Sequence, residues 1–337
     1  MMSREELLNA FENKKEQEIP VSFWHHYAKD EFVPANEHPE ITGINVEGHA
    51  KYIDDVNPDF VKLMTDGYFQ YDFQNVTDVH DLHSLIQLTN ISNDYWWLEG
   101  QRDLIKKQKN VIHGKYSFYN VFSPVTILKW ALVDETKEPL TNGDKRFADL
   151  YAQSPELLHD VLKKIAGDIN KQVDAAIDAG ADGIYYSTQS IQDDRADNKD
   201  FFDYIQKPAD FAVINEINRK APINILHVCG FDQAKNHLEW YTDYQLQIIN
   251  WSTHVDGYTL GEGKKLFGDR VVLGGFGITE QDVLYSGTKQ DIQKEAQRIV
   301  NEAGTKGVLI GADCTIKRDT PIEHIKWAQE AVHALTK

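Results

Sequence analysis

His227 and Cys229 stand two residues apart at the end of the apolar run Ile223-Asn-Ile-Leu-His227-Val-Cys229-Gly230. The chain has only one other cysteine, Cys314, and it closes a second such run, Gly307-Val-Leu-Ile-Gly-Ala-Asp313-Cys314. On a strand, residues two apart leave the same face, so His227 and Cys229 point the same way. One imidazole and two thiolates make three soft ligands, which suits zinc with its fourth tetrahedral position open. A structural zinc site would close with a fourth protein ligand, and there is no third cysteine to do so. A metal held this way would therefore do chemistry. The alternative is two small buried hydrophobes at strand ends, as free cysteine often is. His-x-Cys lacks the redundancy of a paired Cys-x-x-Cys motif, so both readings stand at this point.

What must position these residues is a set of short apolar runs. Eight of them read as strands: 19–24, 60–64, 111–120, 183–187, 223–229, 247–251, 271–275 and 307–312. Helical patterns lie between them. Ser154-Pro155-Glu156 opens a long helix with Leu158, Val161, Leu162, Ile165, Ile169 and Val173 on one face, ended by Gly180. Thr320-Pro321-Ile-Glu323 has the pattern of a capping box, followed by the stripe Ile322, Ile325, Ala328, Val332 and Leu335. Segments 25–59 and 69–110 exceed one crossover and are expected to add helices over the mouth or flank. No glycine-rich phosphate loop follows the first strand. The order predicts an α/β fold, a single (β/α)8 TIM barrel over residues 1–337, rather than a doubly wound sheet.

In a barrel the active site gathers at the C-terminal ends of the strands. Those ends carry His25 and His26, Asp66, Asn120, Gln189, His227 with Cys229, His254, Gly274-Gly275-Phe276-Gly277 and Cys314. The three candidate ligands fall on the fifth and eighth predicted strands, at one rim. The glycines read either as a close backbone approach to a ligand or as a plain turn.

The bulk properties exclude some partners. The formal net charge is −18, and no Lys/Arg cluster interrupts it beyond Lys106-Lys107-Gln-Lys109. Such a surface repels nucleic-acid phosphates and anionic membranes. No run approaches the ~20 apolar residues that cross a bilayer. Met-Met-Ser3-Arg-Glu-Glu6 reads as a capping box opening a helix rather than as an export signal. With two cysteines, this predicts a reducing, cytoplasmic setting.

Taken together, several motifs resemble the uroporphyrinogen decarboxylase superfamily. They are Ile19-Pro-Val-Ser-Phe-Trp24, Pro58-Asp-Phe-Val-Lys-Leu-Met-Thr-Asp66, Ser123-Pro124-Val-Thr126, Gly180-Ala-Asp-Gly-Ile184 and Gly311-Ala-Asp-Cys-Thr-Ile-Lys-Arg-Asp-Thr320-Pro321. The resemblance implies the barrel and two possible chemistries. One branch of that superfamily decarboxylates the acetate arms of a tetrapyrrole without metal or cofactor. The other holds zinc through a His-x-Cys pair and a distant Cys and moves a methyl group from a corrinoid to a thiol.

The sequence departs from the decarboxylase branch where that branch works. Two arginines that would grip substrate carboxylates are missing from Trp24-His-His-Tyr-Ala-Lys29. The branch's tyrosine corresponds to Trp130, its serine to Gln189, and its last histidine to Asp313-Cys314, while its aspartate is kept as Asp66. A substrate with eight carboxylates needs cationic partners, so that activity is disfavoured. The resemblance to the methyltransferase branch implies zinc on His227, Cys229 and Cys314, a small-molecule thiol as acceptor, and a corrinoid donor. The chain carries no corrinoid module, so a separate corrinoid protein would bring it. Asp66 is the candidate proton shuttle or orienting group, with a turn-capping role equally open. His25, His26 and Gln189 are candidate substrate contacts.

Overall fold

Short runs rich in β-branched and aromatic residues form seven parallel strands in this computed structural model, which describes residues 2–14, 18–133 and 141–336. They are β1 (Val61–Leu63), β2 (Ser117–Phe122), β3 (Gly183–Thr188), β4 (Ile225–Val228), β5 (Ile248–Trp251), β6 (Val271–Phe276) and β7 (Val308–Ala312). Their order in the sheet is their order in the chain. Parallel neighbours need long crossovers, and helices supply them. Pro155–Asp178 leads into β3, Lys207–Lys220 into β4 and Lys289–Ala303 into β7. The sheet curls with these helices outside it, an α/β architecture consistent with a TIM-like barrel.

The first predicted strand, 19–24, does not form a strand among the described residues. Segment 19–24 makes one isolated parallel bridge, Val21 to Ile310 on β7. Ile310 N–H donates to Pro20 O at 2.9 Å and Ser22 N–H to Ile310 O at 3.0 Å. On its other side Val21 O accepts from Asp59 N–H at 3.0 Å, but Val21 N–H goes to the Asp59 carboxylate at 2.8 Å. Pro20 has no N–H, and a side chain takes the bond a strand carbonyl would take, so the ladder stops. The segment nevertheless lies between β7 and the chain leading into β1.

Two other boundaries moved. Run 111–120 is not a strand throughout, because the helix Trp96–Val111 continues through Val111. His113 and Gly114, at φ 52° and 74°, turn the chain, and β2 starts at Ser117. The last helix is Ile322–Leu335, with Pro321 as a cap that makes no side-chain bond, so the Thr320 capping box is not formed. The capping box at Ser3 and Glu6 is formed, and Ser154 caps the long helix through Leu157 N–H. The extra segments carry the helices Glu40–Val56 and Trp96–Val111.

Alternation along each strand sorts the core. Tyr119, Tyr186 and Leu226 face the helices, while Phe118, Tyr185 and Ile225 face inward with Phe60, Ile248, Leu273 and Leu309. Phe11 of the first helix (Arg4–Phe11) plugs one end, with ring centroids 5.2–5.6 Å from Tyr116, Phe60 and Phe118. Aromatic rings close that end. The other end carries His227, Cys229 and Cys314. No helix of the described residues is long and apolar enough to cross a membrane.

Candidate metal centre

His227 follows Ile223 and Ile225 on the inward face of β4, which places its ring at the top of the inner core. Cys229 lies just past the end of β4 and Cys314 just past β7. One ligand atom from each of the three residues falls within 4.8 Å of the others. The two Sγ atoms are 3.8 Å apart, and Cys314 Sγ is 3.3 Å from His227 Nε2. Tetrahedral zinc with 2.3 Å Zn–S bonds would set its sulfurs about 3.8 Å apart, so the donor set fits that ion. His227 and Cys314 are buried and Cys229 is half-buried.

The electrostatics of the sulfur pair point the same way. Cys314 is held well below the usual thiol range, first by its contact with Cys229, against burial, with help from His227 and Lys62. Cys229 is pushed well up by the same contact and by burial. Two thiolates at this separation repel, and a cation between them would favour ionising both. Phe231 N–H already points at Cys229 Sγ, 3.4 Å away. His227 Nδ1 is buried without a hydrogen-bond partner among the described residues.

The cluster opens into a cavity of about 690 Å³. One wall is aromatic: Trp130 packs on Phe122 (4.6 Å between centroids), Phe69 (5.8 Å) and Phe32 (5.8 Å). Asn120, His26 and Lys62 also line it, with Lys317, Arg318 and Asp319 from the segment after Cys314. Arg318 Nε donates to His26 O at 3.1 Å, which ties that segment to the rim.

The other predicted site residues divide into those at the cavity and those behind it. His26 lines the cavity, with Nδ1 2.7 Å from Asp66 Oδ1. Asp66 is fully buried behind it, and its second oxygen accepts from Tyr27 N–H (2.7 Å) and Ala28 N–H (2.9 Å). Burial raises the Asp66 carboxyl, but His26 and those two N–H groups outweigh it and hold it low. With these three contacts Asp66 holds His26 and the turn, and it does not itself line the cavity. His25 and Gln189, expected to contact substrate, do not line the cavity. His25 Nδ1 bonds His26 O at 2.9 Å, and burial holds this imidazole below its usual range. Gln189 Nε2 donates to Cys229 O (3.2 Å) and Phe231 O (2.9 Å), while its Oε1 accepts from Lys129 Nζ at 2.6 Å. It clamps the loop that carries Cys229.

His254 has Nδ1 2.7 Å from Asp313 Oδ2, and that contact raises its pKa against the effect of burial. It holds the residue before Cys314. Gly274 and Gly275, at φ 140° and 108°, lie within β6 rather than in a mouth turn. A Cβ at Gly275 would sit 2.8 Å from Ile299, so the glycine there admits the helix Lys289–Ala303. Tyr185 and Trp97 are core, His113 pairs with Asp54 at the surface, and Arg195 pairs with Asp193 and Asp149.

One residue escaped the sequence reading. Lys62 sits on β1 between Val61 and Leu63, 7% exposed, and lines the cavity with the three ligands. The signal was there: it is the one charged residue inside run 60–64, at the same parity as inward-facing Phe60 and Met64.

This fold and site define a class, and comparison with known proteins supplies the family. The chain belongs to the uroporphyrinogen decarboxylase (URO-D) family, whose model matches residues 138–335. Uroporphyrinogen decarboxylase from Helicobacter acinonychis is 24% identical over 220 residues, covering 64% of this chain and 59% of the relative. That from Aliivibrio salmonicida is 24% identical over 224 residues, covering 64% and 58%. Each match thus spans under two thirds of the relative's length. Among solved structures, a methyltransferase from Methanosarcina mazei superposes with a TM-score of 0.70 at 15% identity, covering 98% of each chain. A B12-independent methionine synthase from Shewanella sp. gives 0.56 at 12% identity, covering 94% of this chain and 97% of the other. At such identities the likeness is one of fold.

Proposed function

We propose that this protein is a zinc-dependent methyltransferase that moves a methyl group from a corrinoid, or a similar donor, to a small-molecule thiol. The observation that carries the reading is the convergence of His227, Cys229 and Cys314 on one point at the floor of the cavity, with sulfurs at tetrahedral spacing. Those three residues would hold the ion, and bound zinc would keep a thiol ionised at neutral pH, where a free thiol of pKa ~8.5 is mostly protonated. The chain's own residues do the rest. Gln189 and Asn236 Nδ2 (3.0 Å to Cys229 O) fix the Cys229 loop, and Asp66 holds His26 at the rim. The wall of Trp130, Phe122, Phe69 and Phe32 offers an apolar surface to the donor and excludes water from the sulfur. A separate corrinoid protein would deliver the methyl group, and segment 19–24 is proposed as the eighth stave that completes the barrel.

Protein purified without chelator should contain about one zinc per chain, and Cys314→Ser should lose it. Methylcobalamin should then be demethylated by the wild type with at least one member of a thiol panel. A metal-free wild type at high zinc activity would remove the basis for the proposal. A second reading, a carboxy-lyase, is favoured by the decarboxylases among the curated relatives and by Lys62 and Arg318 at the cavity. Turnover of uroporphyrinogen without added metal would select it.

A further inference from the structure

Lys62 is a buried cation for which the three ligands do not account. Its Nζ lies 4.1 Å from the Tyr185 ring centroid and 5.4 Å from that of Trp24. Among the described residues this Nζ makes no hydrogen bond or ion pair. The nearby carboxylates are spoken for: Asp66 by His26, Tyr27 and Ala28, Glu31 by Arg318 at 3.6 Å, and Asp319 by the Tyr285 hydroxyl at 2.9 Å. Two ring faces supply some compensation, since each presents its negative quadrupole to an ammonium. They do not replace an anion.

We propose that Lys62 is a positioning residue that makes the metal cluster select an anionic fourth ligand, a thiolate, over a neutral one. The inference rests on the metal reading above. A divalent cation with two thiolates and a neutral imidazole carries no net charge. Lys62 adds one positive charge to the same cavity, and an incoming thiolate returns the total to zero. As the thiol binds, its S–H bond breaks heterolytically, the electron pair stays on sulfur, the proton leaves to solvent, and Lys62 keeps its own. Burial brings the Lys62 ammonium down to about 8, with the two cysteines and Asp66 holding it up, so it remains a cation at neutral pH.

The test uses the full chain loaded with cobalt(II), whose visible absorption reports the fourth ligand. Metal content is measured first, then 2-mercaptoethanol and imidazole are titrated at pH 7 into wild type, Lys62→Met and Lys62→Arg. The methionine variant should bind the thiol roughly tenfold more weakly or worse, since a nearby charge in a cavity of intermediate dielectric is lost. Imidazole binding should stay within about twofold, and Lys62→Arg should restore the thiol. If both ligands weaken equally, or neither does, with metal bound, the role of Lys62 is overturned and the metal reading stands. A wild type that binds no metal overturns both. Lys62→Gln replaces the methionine variant if that does not fold. The wild type offers a check without any variant: thiocyanate should bind at least as tightly as imidazole, and a clear preference for imidazole overturns the proposal.

Discussion

Lys62 and Lys129 are both buried, both near the mouth, and opposite in their surroundings. Lys129 Nζ has Asp144 Oδ1 at 2.8 Å and Gln189 Oε1 at 2.6 Å, with the ion pair's side chains 2% and 1% exposed. Lys62 has two aromatic faces and an open cavity. A buried charge whose acceptors are supplied by the fold is architecture. Here it locks Gln189, and through it the loop of Cys229. A buried charge without acceptors faces whatever enters the cavity. Burial alone does not distinguish the two; the acceptors do.

The sharpest way to break this contrast is to neutralise each lysine in turn and measure stability. Lys129→Met leaves Asp144 as an uncompensated buried charge and should cost about 3–5 kcal/mol in urea unfolding. Lys62→Met leaves no hydrogen-bonded or ion-paired group stranded, so at neutral pH it should leave stability unchanged or raise it by about 1 kcal/mol. Equal losses would mean that Lys62 has an acceptor in the folded protein after all.

The next largest effect is in pH. The folded Lys62 titrates at about 8, below its ordinary value of 10.5. Between those values the unfolded chain keeps a proton that the folded chain has lost, so the Lys62 contribution to stability rises with pH across the window. Wild type should therefore gain on the order of 2 kcal/mol relative to Lys62→Met between pH 8 and 10. A constant difference between the two would place the ammonium in water.

A smaller effect tests the carboxylate closest in kind to Lys62. Asp256 is raised to about 6, chiefly by burial, and its Oδ2 is buried without a partner among the described residues, while Asn236 N–H bonds Oδ1 at 2.7 Å. The folded state here holds its proton longer than the unfolded chain. Its stabilising share is thus complete below about pH 4 and gone above about 6. Asp256→Asn should therefore be more stable than wild type at pH 8, by up to about 2 kcal/mol, and not at pH 4. An unchanged pH profile would contradict the assignment.

Much of this was legible in the sequence, for identifiable reasons. Period two put His227 on the inward face with Ile225, and strand-end position put Cys229 and Cys314 at one rim, because both are local rules. Lys62 obeys the same rule, at the inward parity of Phe60 and Met64. Segment 19–24 failed as a strand because the Asp59 carboxylate takes the Val21 N–H, a contact between residues 38 apart. Gln189 turned from the cavity because Lys129, 60 residues away, holds its oxygen. Run 111–120 breaks as a strand at His113, whose positive φ leaves no mark in the hydrophobic pattern. Local periodicity fixes which face a residue takes. Only the assembled fold decides which polar partner it meets there.

On the proposed function, His227, Cys229 and Cys314 form an open, working metal centre rather than two inert cysteines beside a histidine. Zinc-edge X-ray absorption on the full chain, with and without a thiol, tests it most directly. The expected result is two sulfurs at ~2.3 Å and one nitrogen in the resting protein, and a third sulfur once thiol is added. A coordination shell that no thiol alters would contradict it.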